Sequence, residues 1–156
     1  MRLHIANNIK KGEYLLHSDM FNTNRFPVKG TVINSGLGES NLLNIAAGLA
    51  SQNNTVWIYG VCGFIIHRYE QMKFSIRDFG AKKGKIIIFN AGKIGYSGLG
   101  AGHVLDDDYN IMKCLDIPYY VPKYLDELKA VLKLIDSKDT GVFYIQLGED
   151  YDRNNR

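Results

Sequence analysis

Short, continuously apolar segments alternate with helical segments of ten or more residues along this chain, and few architectures accommodate that alternation. Thr55-Val56-Trp57-Ile58-Tyr59, Lys85-Ile86-Ile87-Ile88-Phe89 and Val142-Phe143-Tyr144-Ile145-Gln146 have no polar face, which marks strands buried on both sides. Glu13–His17, Gly30–Asn34 and Tyr119–Val121 read as further short strands. Between them, Leu42, Leu43, Ala46, Leu49 and Ala50 recur at three- and four-residue spacing, so a helix over Glu39–Ser51 buries one face. Its small residues Ala46, Ala47 and Gly48 suit close packing on a sheet. Helices are also expected from about 64 to 79, 106 to 115 and 125 to 135. Strands buried on both faces and joined by helices form a parallel sheet, so the expected fold is a three-layer, doubly wound, mostly parallel α/β structure with helices on both faces. One domain is expected over 1–150, followed by a polar tail at 151–156.

Composition removes several classes of function. The 156 residues are 46% hydrophobic and 22% charged with only 3 prolines, which excludes a long disordered chain. A net charge of +3, from 19 basic and 16 acidic residues dispersed along the sequence, gives no nucleic-acid surface. No apolar run approaches the roughly 20 residues of a membrane span, and Met1-Arg2-Leu3-His4 does not open a signal peptide, so a cytoplasmic protein is expected. Cys62 and Cys114 lack CxxC or Cys/His spacing, which points to two buried thiols and to no metal site.

In a parallel sheet, ligands bind beyond the carboxyl ends of the strands, and three segments fall there. Asn34-Ser35-Gly36-Leu37-Gly38-Glu39-Ser40-Asn41 contains a GxG, but Asn41 stands where a dinucleotide fingerprint needs glycine. Glu39 reads either as a functional carboxylate or as an acid that favours the helix dipole. Tyr59 and Phe64 are rings that would hold a planar heterocycle or simply fill the core. The segment from Gly92 to Gly102 is rich in glycine and leads to His103, followed by Asp106-Asp107-Asp108. It lacks the Gly-Lys-Ser/Thr ending of a P-loop.

Taken in order, these segments resemble the pyrimidine-binding domain of transketolase-like thiamine diphosphate enzymes, from about Leu15 to Ile135. Glu39-Ser40-Asn41 is similar to the family's Glu-Gln-Asn helix opening, and Arg68-Tyr69-Glu70-Gln71 to its Arg-Ala-Tyr/Phe-Asp-Gln, one residue shorter. Gly100-Ala101-Gly102-His103 resembles Gly-Pro-Thr-His, Asp107-Asp108 the paired acid after it, and Ile117-Pro118-Tyr119-Tyr120-Val121-Pro122 the short strand ending in proline. The resemblance implies the pyrimidine-binding type of fold and thiamine diphosphate as cofactor. Glu39 would be hydrogen-bonded to the pyrimidine N1′ so that the cofactor's own 4′-imino form serves as base. A buried carboxyl kept protonated by desolvation suits that task. Tyr59, Phe64 and Arg68 would contact the cofactor, and His103 would act on substrate as donor or proton shuttle.

Departures from the family's pattern sharpen these expectations. Leu99 stands where transketolases carry an aspartate for a sugar hydroxyl, and Asn90 replaces a histidine after the strand. The Gly-Asp-Gly motif that holds diphosphate and Mg²⁺ in the family does not occur in this sequence. The resemblance therefore implies one half of a split enzyme, completed by a diphosphate-binding subunit with Gly-Asp-Gly, most simply as α2β2. That enzyme would transfer a ketol or acyl unit between small sugar or keto-acid substrates. A keto-acid decarboxylase, a deoxyxylulose-phosphate-synthase-like carboligase, and a non-catalytic α/β binding or regulatory module are the alternatives.

Overall fold

The structure, a computed structural model, describes residues 1–91 and 108–147. Six strands, β1 (Tyr14–His17), β2 (Thr31–Asn34), β3 (Thr55–Val61), β4 (Lys85–Ala91), β5 (Tyr119–Tyr120) and β6 (Gly141–Leu147), form one sheet in the order β2-β1-β3-β4-β6-β5. Every pairing is parallel, as strands without a polar face require. The register aligns His17 with Asn34 and Tyr59, Gly60 with Asn90, and Asn90 with Gln146, so the strands end along one common edge.

Strand alternation divides the interior into two cores. Val56 and Ile58, Ile86 and Ile88, and Val142 and Tyr144 face α2 (Glu39–Ala50), α3 (Cys62–Ile66), a π-helical segment (Gln71–Arg77) and α4 (Asp108–Cys114). Trp57 and Tyr59, Ile87 and Phe89, and Phe143 and Ile145 face α1 (Arg2–Asn8) and α5 (Leu125–Asp136). The three layers and the helices on both faces are those expected from the sequence.

Local chemistry explains the start of α5 and the packing of α2. α5 opens where the Glu127 carboxylate accepts from the backbone N–H of Lys123 at 2.6 Å and of Tyr124 at 3.4 Å, which satisfies donors that a helix start leaves unpaired. α2 packs closely through Ala46, Ala47 and Ala50, all buried. Gly80 meets this stripe, and a Cβ there would lie 2.7 Å from Ala47 Cα, so only glycine permits the approach. Gly48, expected in the stripe, faces open space instead.

One element was not anticipated and two further expectations are corrected. The start of the chain is helical: α1 buries Ile5 and Ala6, with Ile9 just beyond, a pattern too short to register as periodicity. The helix expected over 64–79 breaks after Ile66 and resumes as a π-helical turn in which Asp78 N–H donates to Lys73 O at 3.0 Å, five residues back. Cys114 is exposed on α4, its Sγ 3.9 Å from the Tyr69 hydroxyl. The Cys62 side chain, the Gly-rich segment 92–102, His103 and the tail 151–156 lie outside the described residues. Among those described, no helix is long and apolar enough to cross a membrane.

Candidate functional site

The carboxyl edge of the sheet is built from the ends of β1 to β4 and from the helices that follow them. After β2, the chain turns through Ser35 and Gly36, which adopts φ of +66°, a left-handed conformation that glycine tolerates without strain. Asn34 fixes this turn: its Oδ1 accepts from Gly36 N–H at 2.9 Å and from Asp19 N–H at 3.0 Å, while its Nδ2 donates to Asp19 Oδ1 at 3.0 Å. Ser35 N–H donates to His17 O at 2.9 Å and ties the turn to the end of β1. The turn delivers Gly38 as the N-cap of α2 and Glu39 as its first residue.

Glu39 is half-buried, and its carboxylate has no hydrogen-bond or ion-pair partner among the described residues. Beside it Leu37 is 85% exposed, an apolar side chain at the rim of a polar turn. Phe64, in the first turn of α3, is half-buried at the same edge, because α2 and α3 pack into one core and follow parallel strands separated only by β1. Two strand spacings amount to roughly 10 Å.

Tyr59 lies elsewhere. Its side chain points to the α1/α5 face and is 3% exposed, with ring centroids of Phe21 at 5.3 Å and Phe89 at 5.1 Å, and its hydroxyl accepts from Arg2 Nη1 at 3.2 Å. A ring enclosed in this way has no face left for a heterocycle. Arg68 is exposed at the junction between α3 and the π-helical segment, so the length of α3 separates it from the edge that carries Glu39. The structure thus places Glu39 and Phe64 on the same edge of the sheet, with Tyr59 turned to the other face and Arg68 beyond the end of α3.

Three buried polar residues lie at this edge, of which the sequence reading named Asn90 and passed over His17 and Gln146. His17, at the end of β1, accepts from Phe21 N–H through Nδ1 at 3.3 Å, which places its proton on Nε2. Burial lowers its pKa below the ordinary value, with Asp19 pulling the other way. A base held neutral by burial favours the folded state above its unfolded pKa of about 6.5, and that contribution is lost as the pH falls below it. His4 is shifted in the same direction. Stability should therefore fall between pH 7 and 5.5 in a thermal-melt series, and His17→Asn, which keeps an acceptor at the Nδ1 position, should flatten the slope. An unchanged slope would refute the assignment.

Asn90 and Gln146 are neighbours on β4 and β6, both at most 2% exposed. Asn90 donates to the Tyr144 hydroxyl, Tyr144 stacks on Tyr119 at 5.5 Å, and the Tyr119 hydroxyl donates to buried Asp108 at 2.7 Å. Among the described residues the Asn90 Oδ1 and Gln146 Oε1 atoms have no partner. An unsatisfied buried acceptor costs about 1–3 kcal/mol, so Gln146→Met, of similar volume, should raise chain stability by about 1 kcal/mol in denaturant titration. Destabilisation instead would mean that the amide is satisfied. A polar amide closing an apolar run was the available signal: Asn90 follows Ile86–Phe89 and Gln146 follows Val142–Ile145.

Among the described residues no group of His, Cys, Asp and Glu side chains is placed to hold a metal ion. Among the described residues the edge instead offers a carboxylate without a partner and, on the neighbouring helix, a ring. That set fits the aminopyrimidine of thiamine diphosphate, and the described residues hold no metal cluster for its Mg²⁺.

No family model matches the sequence, and no curated protein matches it. Among solved structures the chain is similar to a split-gene transketolase determined as an inactive beta4 tetramer, with a TM-score of 0.65 and 24% identity over 88% of this chain. The match covers 45% of that chain's length. The likeness establishes a transketolase-like fold for this chain.

Proposed function

We propose that this chain is the pyrimidine-side subunit of a two-component, thiamine diphosphate-dependent enzyme of transketolase type, transferring a ketol or acyl unit between small sugar or keto-acid substrates. Its partner would be a diphosphate-binding subunit carrying Gly-Asp-Gly and the Mg²⁺ ligands, most simply in an α2β2 assembly. The reading rests on Glu39, the first residue of α2, whose carboxylate has no partner among the described residues at the carboxyl edge of the sheet. Leu37 beside it is the kind of exposed apolar side chain that a docked subunit would cover.

In that assembly the cofactor supplies a nucleophilic thiazolium carbon, which no side chain provides. The chain's part is to bind and orient. Glu39, dried by the docked partner, would hold a proton on its carboxyl and donate it in a hydrogen bond to the pyrimidine N1′. Phe64 would lie against the pyrimidine ring. Arg68 and His103 are proposed, as the resemblance implies, for the cofactor and substrate sides, while Tyr59 stays with the core.

The test is to mix this chain with a Gly-Asp-Gly subunit, thiamine diphosphate and Mg²⁺, and to assay ketol transfer from a ketose phosphate and acyl transfer from a keto acid. Turnover that requires both polypeptides supports the proposal. A stable heteromer that turns over neither donor type would contradict it.

A further inference from the structure

At the opposite edge of the sheet, where β3 and β4 begin, α1 and α5 enclose a cleft of about 450 Å³. Four lysines line it against two carboxylates, those of Glu13 and Asp136. Both carboxylates are already engaged. Asp136 Oδ1 accepts from Lys10 Nζ at 2.8 Å, and Glu13 Oε2 accepts from Trp57 Nε1 at 2.7 Å and from Lys10 N–H at 3.0 Å.

The remaining cations are poorly compensated. Lys85 is 8% exposed, yet the one described hydrogen bond of its ammonium is a long one, 3.4 Å to the backbone oxygen of Asp136. The Lys133 ammonium, on the rim, has no hydrogen-bond partner among the described residues. Lys129 turns to Asp126 at 3.0 Å, outside the cleft, but its charge still helps burial and the chain's amino terminus to lower the pKa of His4, which shares the wall. Lys85 and Lys10 share the Asp136 carboxylate, so the two carboxylates of the lining leave two of its four lysine charges in excess, and concave walls of low dielectric concentrate the field of the surrounding charges.

We propose that this cleft binds a small phosphorylated metabolite, with its phosphate held between Lys85 and Lys133 and its body resting towards Trp57. The volume falls within the range of small-molecule sites. The inference concerns the amino-terminal edge of the sheet and is independent of the function proposed for the Glu39 edge.

Trp57 is the only tryptophan of the chain, so its emission reports on the cleft directly. The full chain is titrated with inorganic pyrophosphate at ionic strength held constant with sodium chloride. Saturable change in emission, half-complete below about 1 mM, is expected, with at least tenfold weaker binding in Lys133→Gln and none in Lys85→Met. Should Lys85→Met not fold, the double variant Lys129→Gln/Lys133→Gln takes its place with the same expected loss. A response that does not saturate, or that persists unchanged in the lysine variants, would overturn the proposal.

Discussion

Glu39→Gln is expected to lower the turnover of the reconstituted two-subunit enzyme by about 10²–10⁴-fold, the range for losing a positioned acid–base group, while the heteromer still assembles. The substitution is nearly isosteric, so α2 should start at the same residue and the turn fixed by Asn34 should be undisturbed. What disappears is an acid able to hold and share a proton with the pyrimidine N1′. An acid in a first helical turn also interacts with the helix dipole, worth about 0.3–1 kcal/mol. If that were the whole role of Glu39, the variant would melt slightly earlier and turn over normally. Measuring kcat of the heteromer beside the melting curve of the isolated chain separates the two roles.

Phe89→Ala should destabilise the chain by about 3–5 kcal/mol, as expected for deleting a buried ring from a close-packed interior. Phe89 is fully buried on β4, with Tyr59 at 5.1 Å, Trp57 at 6.3 Å and Phe21 at 6.3 Å between ring centroids. Most domains have only about 5–15 kcal/mol of total stability, so the loss should appear as a large fall in the denaturation midpoint. A change below 1 kcal/mol would mean that the α1/α5 face is not packed as described.

The strands β3, β4 and β6 were legible because residues such as Ile86–Phe89 are apolar at every position, which only a strand covered on both sides uses. The same feature hid the placement of Tyr59. When both faces are apolar, nothing in the sequence distinguishes the face that reaches the edge of Glu39 from the face that packs on α1. The break after Ile66 was equally hidden, because Met72 and Ile76 keep four-residue spacing while the backbone between them widens to a five-residue turn. The place of Glu39 at the start of α2 was legible because it follows a glycine turn at the point where the strand pattern gives way to helical spacing. The burial of His17 was not, since a polar side chain at a strand end reads the same whether it is solvated or buried.

The central claim is that this chain supplies only the pyrimidine side of a cofactor site, and calorimetric titration of thiamine diphosphate with Mg²⁺ tests it most directly. The chain alone should give no measurable binding, and an equimolar mixture with a Gly-Asp-Gly subunit should bind one cofactor per pair of chains. Tight binding by the isolated chain, or a mixture that binds no more than the partner alone, would contradict the account.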